Sequence, residues 1–319
     1  MKFRTEIEPT HLAATIGYEN RILALGSCFA EHIAGALAAA KFRTTINPTG
    51  ILFNPLSVAA ALNGYAAAVR REELHTDGEQ WFHYDFHGDF SDRDPEQALR
   101  RMNEARQLGA AALAAADRVI VTFGTAWVFE RGGRVVANCH RQPAAEFVRR
   151  RLSVDEIVDA FAGAIEGPLA GKQLILTVSP VRHLADGLAG NALSKAVLRL
   201  AADRLAERYE AVHYFPAFEI LTDDLRDYRF YADDLVHPAP QAIAYIRERF
   251  FEAVLTPQAR RLLPEVEAVV AAAAHRPRDP RSEAHAALCR RMTERIAALP
   301  DIDFSAESAY FRRCIEINS

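Results

Sequence analysis

No apolar run in this 319-residue sequence is long enough to cross a membrane. A spanning helix needs roughly 18 or more apolar residues in succession, whereas the most apolar stretches here, residues 111–116 and 268–274, are short and alanine-rich. The opening stretch MKFRTEIEPTHLAATIGYENR is too polar for a secretory signal. Cysteine is scarce: Cys28, Cys139, Cys289 and Cys314 are too few for a disulfide-stapled miniature domain, and their spacings match no common zinc pattern. Thiols in a reducing compartment follow, and a soluble, cytoplasmic protein is the expectation. Positive charge is not in excess either. A formal net charge of -4 gives no long-range attraction for nucleic acid or an anionic membrane. The one dense cationic run, Arg149-Arg150-Arg151, reads as a solvated face ahead of a helix. Neither G-x-G-x-x-G nor G-x-x-x-x-G-K-[ST] occurs, so the two common nucleotide-binding loops are missing. No internal repeat is present.

What is present is half hydrophobic residues and 25% charged ones, the composition of a globular chain with a sizeable core. Residues 22–25 form a short apolar run, broken by Gly26 and Ser27, after which residues 28–40 read as an alanine- and leucine-rich helix. Strand, tight turn and helix open an α/β fold. Further strands are expected at residues 42–46, 118–122, 173–178 and 212–215, and helices at 56–70, 96–116, 191–209 and 239–255, the last opened by Pro238. Arg131-Gly132-Gly133 marks a hairpin turn between residues 128–130 and 134–137. Ser153 with Glu156 has the spacing of a capping box. Residues 72–95, rich in aromatics and histidines, form an excursion from the sheet, either a satellite cluster or a wall for substrate. The alternation of helices and apolar strands predicts a three-layer α/β/α domain with a mostly parallel central sheet over residues 1–255. Residues 256–319 form a C-terminal helical extension, with two helices in 258–298 that either dock on the domain or mediate self-association.

Two polar elements stand out. Ser27 sits where the first strand meets the first helix, and ligands of open parallel sheets bind at the carboxyl ends of strands. A serine there is either a helix N-cap or a nucleophile whose oxyanion would face a helix N-terminus. Asp234 and His237 stand three apart in a polar loop ahead of a helix. Alone, D-x-x-H is ordinary loop polarity; with a serine it supplies a general base and the carboxylate that orients it. Cys28 competes as a nucleophile but points away from Ser27 in a tight turn. His140 and His183 are candidate pocket residues. Arg182 offers fixed donor geometry for a carboxylate or phosphate, or for an ordinary ion pair. His83, Asp85 and His87 alternate and on a strand would share a face able to hold zinc, but no independent metal signature supports this. Neither metal nor cofactor is expected.

GSCFA, residues 26–30, resembles the signature of the GSCFA-domain family. NPTGILFNP, TFGTAWVFE, NCHRQP, LTVSPVRH and DDLVHP resemble its further blocks in order, over roughly residues 2–255. That bacterial family is placed near the SGNH/GDSL hydrolases and acyltransferases. The resemblance implies an SGNH-hydrolase-like, flavodoxin-like fold with Ser27, Asp234 and His237 as catalytic triad. It implies Gly50 as the oxyanion-hole glycine, and His140 and His183 as residues of the same pocket. Where the wider group has G-x-N, this chain has Gly124-Thr125-Ala126, so a backbone N–H, Thr125 or Asn54 has to replace the asparagine amide. The implied activity is hydrolysis of a small O-acyl ester, of a carbohydrate for example, through an acyl-enzyme. O-acyl transfer by the same triad is the alternative, and a non-catalytic ligand-binding module on the same fold a third.

Overall fold

β1 (Arg21–Gly26) is buried along all but its first residue, as expected for a strand covered by helices on both faces. The computed structural model describes residues 4–8 and 10–317; the first three residues and Pro9 of the polar opening stretch lie outside them, as do 318–319. In chain order β1 is followed by α1 (Cys28–Ala39), β2 (Arg43–Ile46), α2 (Pro55–Gly64), β3 (His75–Thr76), β4 (Trp81–Phe82) and α3 (Pro95–Ala115). Then come β5 (Arg118–Phe123), β6 (Trp127–Arg131), β7 (Arg134–Val136), β8 (Val148–Arg151), α4 (Val154–Glu166) and β9 (Gln173–Val178). α5 (Gly187–Arg208), β10 (Val212–Phe215) and α6 (Ala217–Glu219) lead into a π-helical stretch, Ile220–Leu225. α7 (Pro240–Val254), α8 (Pro257–Ala274), α9 (Glu283–Ala297) and α10 (Ser305–Ile317) complete the chain.

The central sheet has the order β10-β9-β5-β1-β2, and every pairing in it is parallel. Counted by its own strands this is 2-1-3-4-5. The chain therefore leaves β1 toward one edge and returns through β5 toward the other, opening a crevice at the carboxyl ends of these two neighbours. Alternate residues of β1 enter opposite layers. Ile22 and Ala24 join a core with α1, α7 and the C-terminal helices. Leu23 and Leu25 join the one formed with α2, α4 and α5. The three-layer α/β/α architecture with a parallel sheet is thus observed.

Several local expectations are corrected. The arginine run is not merely a face before a helix: it forms β8, which pairs antiparallel with β6, itself paired to β7. Arg149 pairs with Asp186, and Arg150 with Glu130 and Glu156, which offsets much of the charge of the run. Helix α7 is opened by Pro240 at its first turn, with Ala239 as N-cap; Pro238 lies just outside, bridged to Tyr231. α2 ends at Gly64 rather than continuing to residue 70; Tyr65, which follows it, is buried with its ring beside Gly109. The 72–95 excursion contains the two-residue strand pair β3–β4, a 3-10 turn over Gly88–Phe90 and a bridge from Trp81 to Asp92, and forms two satellite clusters, around Phe86 and Met102 and around Phe82 and Tyr84. His83, Asp85 and His87 lie in turns beyond β4, where the strand alternation that would align them does not apply. The extension has a third helix, α10. Cys289, Met292 and Phe311 bury into the same core as α1 and α7, so these helices dock on the domain.

Candidate functional site

The short β1–α1 turn is built by Gly26, whose φ of +128° and contact with β5 exclude a side chain. A Cβ there would lie 2.2 Å from the carbonyl oxygen of Thr122. Ser27 follows as the residue capping α1, yet its hydroxyl makes no capping hydrogen bond. The hydroxyl oxygen is buried and has no hydrogen-bond partner among the described residues. An N-cap serine ordinarily accepts from the first helical turn, and a buried hydroxyl without a partner is costly. Gly124, just past β5, packs closely against Ser27: a Cβ there would lie 3.1 Å from Ser27 Cβ.

Asp234 and His237 come together as an ordered pair. His237 Nδ1 lies 2.6 Å from Asp234 Oδ2, and Asp234 Oδ1 accepts from the backbone N–H of Val236 at 2.9 Å and of His237 at 3.0 Å. The two His237 bonds, backbone then ring, and the Val236 N–H hold the Asp234 carboxyl down to about 2. The ring therefore faces an ionised acceptor at neutral pH. Leu235, at φ +57°, makes the tight bend that this cradle requires. Arg182 braces the loop from the end of β9: its N–H donates to Val236 O and its guanidinium to Leu235 O, while the guanidinium lies 3.8 Å from the ring centre of Tyr231. These contacts tie Arg182 to the His237 loop. His237 acts electrostatically on His32 of α1, whose imidazole is held below its ordinary range by burial first and by His237 as a lesser cause. His32 is five residues beyond Ser27, about 7 Å along the helix axis. Among the described residues, no hydrogen bond joins Ser27 to His237, whose ring is bonded to Asp234.

The expected oxyanion donors are engaged. Ser27 N–H donates to Thr122 O at 3.2 Å, Gly50 N–H to Asn47 O at 2.8 Å, and both Gly124 and Thr125 N–H to Phe53 O at 2.9 Å. Asn54 caps α2, accepting from Ser57 N–H and donating to Ser57 Oγ at 2.9 Å each. The amide joined to the β1–α1 turn is instead that of Asn47, with Oδ1 3.0 Å from Gly26 N and Nδ2 3.3 Å from Glu31 Oε1. Gly50 itself, at φ +84°, lets the 72–95 excursion dock, for a Cβ would lie 2.2 Å from His87 Cβ.

The Gly124–Ala126 turn is clasped from behind by α5. Ser194 Oγ accepts from Ala126 N–H at 2.8 Å and lies 3.1 Å from Thr125 Oγ1. Lys195, 1% exposed, donates to Gly124 O at 2.7 Å and Ser179 O at 2.6 Å, tying the carboxyl ends of β5 and β9 together. Burial with no carboxylate partner lowers its amine to about 7. Sequence reading passed over Lys195, although it falls on the i, i+3, i+7 stripe shared with Leu198 and Ala202, the spacing of a buried helix face.

His183 lies against this turn. Its ring is edge-on to Phe53, and burial, then the charge of Lys195, lowers it to about 4. It lines a cavity of about 450 Å³ together with Phe53, Asn54, Thr125, Trp127 and Phe129. His140 sits apart from that cavity. Its ring stacks on Phe82 at 4.3 Å and its Nε2 is 3.0 Å from His83 O; burial lowers it to about 4. With His87, Asn138 and Arg141 it lines a second cavity of about 520 Å³, and Asn138 also lines the first.

These features define a doubly wound α/β protein with an unpartnered serine at the switch of its parallel sheet and an Asp–His pair in a loop of the same domain. The chain belongs to the GSCFA family: the family model matches residues 21–250, and a second model, the GSCFA domain protein C-terminal domain, matches residues 266–317. No curated protein matches the sequence. Among solved structures, one from Streptococcus pneumonia, described provisionally as a platelet activating factor, is similar at 13% identity over 73% of this chain and 83% of that one. Its TM-score of 0.36 is too low to carry an argument. Among the described residues, no helix is long and apolar enough to cross a membrane.

Proposed function

We propose that the protein is a serine-dependent acyl hydrolase of SGNH-like, flavodoxin-like fold that acts on a small O-acyl ester, such as an acylated carbohydrate, through Ser27, His237 and Asp234. The observation that carries this reading is the buried Ser27 hydroxyl, left without a partner at the β1/β5 switch point although its helix could have used it as a cap. In the proposed reaction the His237 loop closes on Ser27. His237 Nε2 takes the hydroxyl proton as Oγ attacks the ester carbonyl, and the alkoxide leaves with that proton. Water then attacks the acyl-enzyme, its proton passing to His237 and on to Ser27 Oγ as the acid departs. Asp234 keeps Nδ1 protonated and supports the imidazolium.

For the oxyanion we assign the Ser27 N–H, whose 3.2 Å bond is the longest of the four donor bonds above, and the second Nδ2 hydrogen of Asn47, one of the two such hydrogens being used by Glu31. Lys195 is a positioning residue that holds Gly124 opposite the nucleophile. The aromatic-walled cavity beside Thr125 and His183 would receive the acyl group. It would equally receive an acceptor alcohol, which is what supports O-acyl transfer as the second reading; product analysis with and without a sugar acceptor separates the two. The test of the chemistry is Ser27→Ala. Turnover of an activated acetyl ester should fall by at least about 10³-fold, and a fluorophosphonate should label Ser27 in the parent chain. Full activity in a folded Ser27→Ala protein would overturn the proposal.

A further inference from the structure

Three soft donors converge between the last two helices. His285 and Cys289 are one helical turn apart on α9, and Cys314 reaches them from α10; the three ligand atoms all lie within 4.8 Å of one another. His285 is 5% exposed and Cys289 fully buried. Cys289 Sγ is 3.7 Å from His285 Nε2, and neither cysteine is in a disulfide. A tetrahedral zinc ion, with sulfur at about 2.3 Å and nitrogen at about 2.0–2.1 Å, separates such ligands by about 3.5–3.8 Å. The donors therefore need to tighten by no more than about 1 Å, within reach of side-chain rotation.

We infer that His285, Cys289 and Cys314 form a binding site for a zinc-class cation that ties the last helix to α9. Two thiolates and a neutral imidazole balance a divalent ion without net charge, the state that an apolar surrounding tolerates best. Binding is a substitution that balances in protons: Cys289 and Cys314 each lose one to solvent as the metal–sulfur bonds form. Cys314, the partly exposed member, is on the side where water would complete the fourth position. The arrangement escapes a motif search because the ligands read H-x-x-x-C followed by a 24-residue gap, so only the packing of α10 on α9 assembles them. The site is independent of the Ser27 chemistry.

The test uses the full chain, reduced, stripped with a chelator and titrated with Co2+ and then Zn2+. One equivalent of cobalt should produce thiolate-to-cobalt charge-transfer absorption that zinc bleaches, and zinc should protect Cys289 and Cys314, but not Cys28 and Cys139, from alkylation. Cys314→Ser, on the partly exposed helix face, should lose the absorption, and His285→Gln should weaken it. Absence of the absorption with zinc well below one equivalent would overturn the inference. So would its survival in Cys314→Ser, equal alkylation of all four thiols with and without zinc, or recovery of Cys289 and Cys314 as a disulfide that excludes metal.

Discussion

Replacing Lys195 by Met tests whether a buried amine underlies the β5–β9 clasp. In the folded chain burial carries the amine from its ordinary 10.5 to about 7, while the unfolded chain keeps its proton to about 10.5. Between these values the unfolded state binds more protons, so this group makes stability rise with pH, by up to about 1.4 kcal/mol per pH unit. Below about pH 7 both states are protonated and the slope vanishes. The neutral amine still has two N–H donors for Gly124 O and Ser179 O, so nothing is orphaned at high pH. In Lys195→Met the slope is gone, and two buried carbonyls lose a donor at about 1–3 kcal/mol each. Near pH 7 the relief of burying a charge offsets that loss and the two proteins should be close in stability. By pH 10 the parent should have gained about 3–4 kcal/mol over the variant. Urea midpoints at pH 7, 8, 9 and 10, with activity checked at each, measure the gap. Parallel profiles would refute the reasoning, because they would mean that Lys195 keeps its proton across the range or is not buried.

Arg182→Ala should lower kcat/KM by up to about 100-fold through misplacement of the His237 loop; unchanged kinetics would remove Arg182 from the positioning set. Gly124→Ala places a methyl 2.7 Å from the Phe53 carbonyl and 3.1 Å from Ser27 Cβ, so activity on a small acetyl ester should collapse while circular dichroism stays native. His140 and His183 are held near 4 by burial, below their unfolded value. Their contribution is therefore fully present above about pH 6.5 and is lost as pH falls toward 4, on the order of 1–2 kcal/mol each after allowing for partial exposure. Thermal melts of His183→Phe should show a shallower acid slope than the parent. Because Asp234 stays ionised down to about pH 2, its protonation should not set the acid limb of the rate profile; a limb near pH 2–3 would contradict that.

Much of this protein was determined locally and could be read in order along the chain. The apolar run 22–25, the Gly26–Ser27 break and the following helix are short-range steric and periodic facts, and they place the serine at a strand end. The capping box forms as spaced, with Ser153 N–H on Glu156 Oε2 at 2.8 Å and Glu156 N–H on Ser153 Oγ at 3.2 Å. Asp234 and His237 pair because three residues of loop suffice to bring them together. What only the tertiary structure decided is how donors and charges distant in sequence are shared. Of the N–H groups expected to stabilise an oxyanion, those of Ser27, Gly124 and Thr125 have an acceptor supplied by another segment, and Asn47, not Asn54, reaches the β1–α1 turn. Lys195 is a charged residue that propensity places at a surface, and it is buried with its amine donating to carbonyls at two strand ends. Cys289 and Cys314 are distant in sequence and become neighbours only when α10 packs against α9. Periodicity constrains which face of an element is apolar; it says nothing of which polar atoms meet across elements, since those contacts depend on the packing of whole layers.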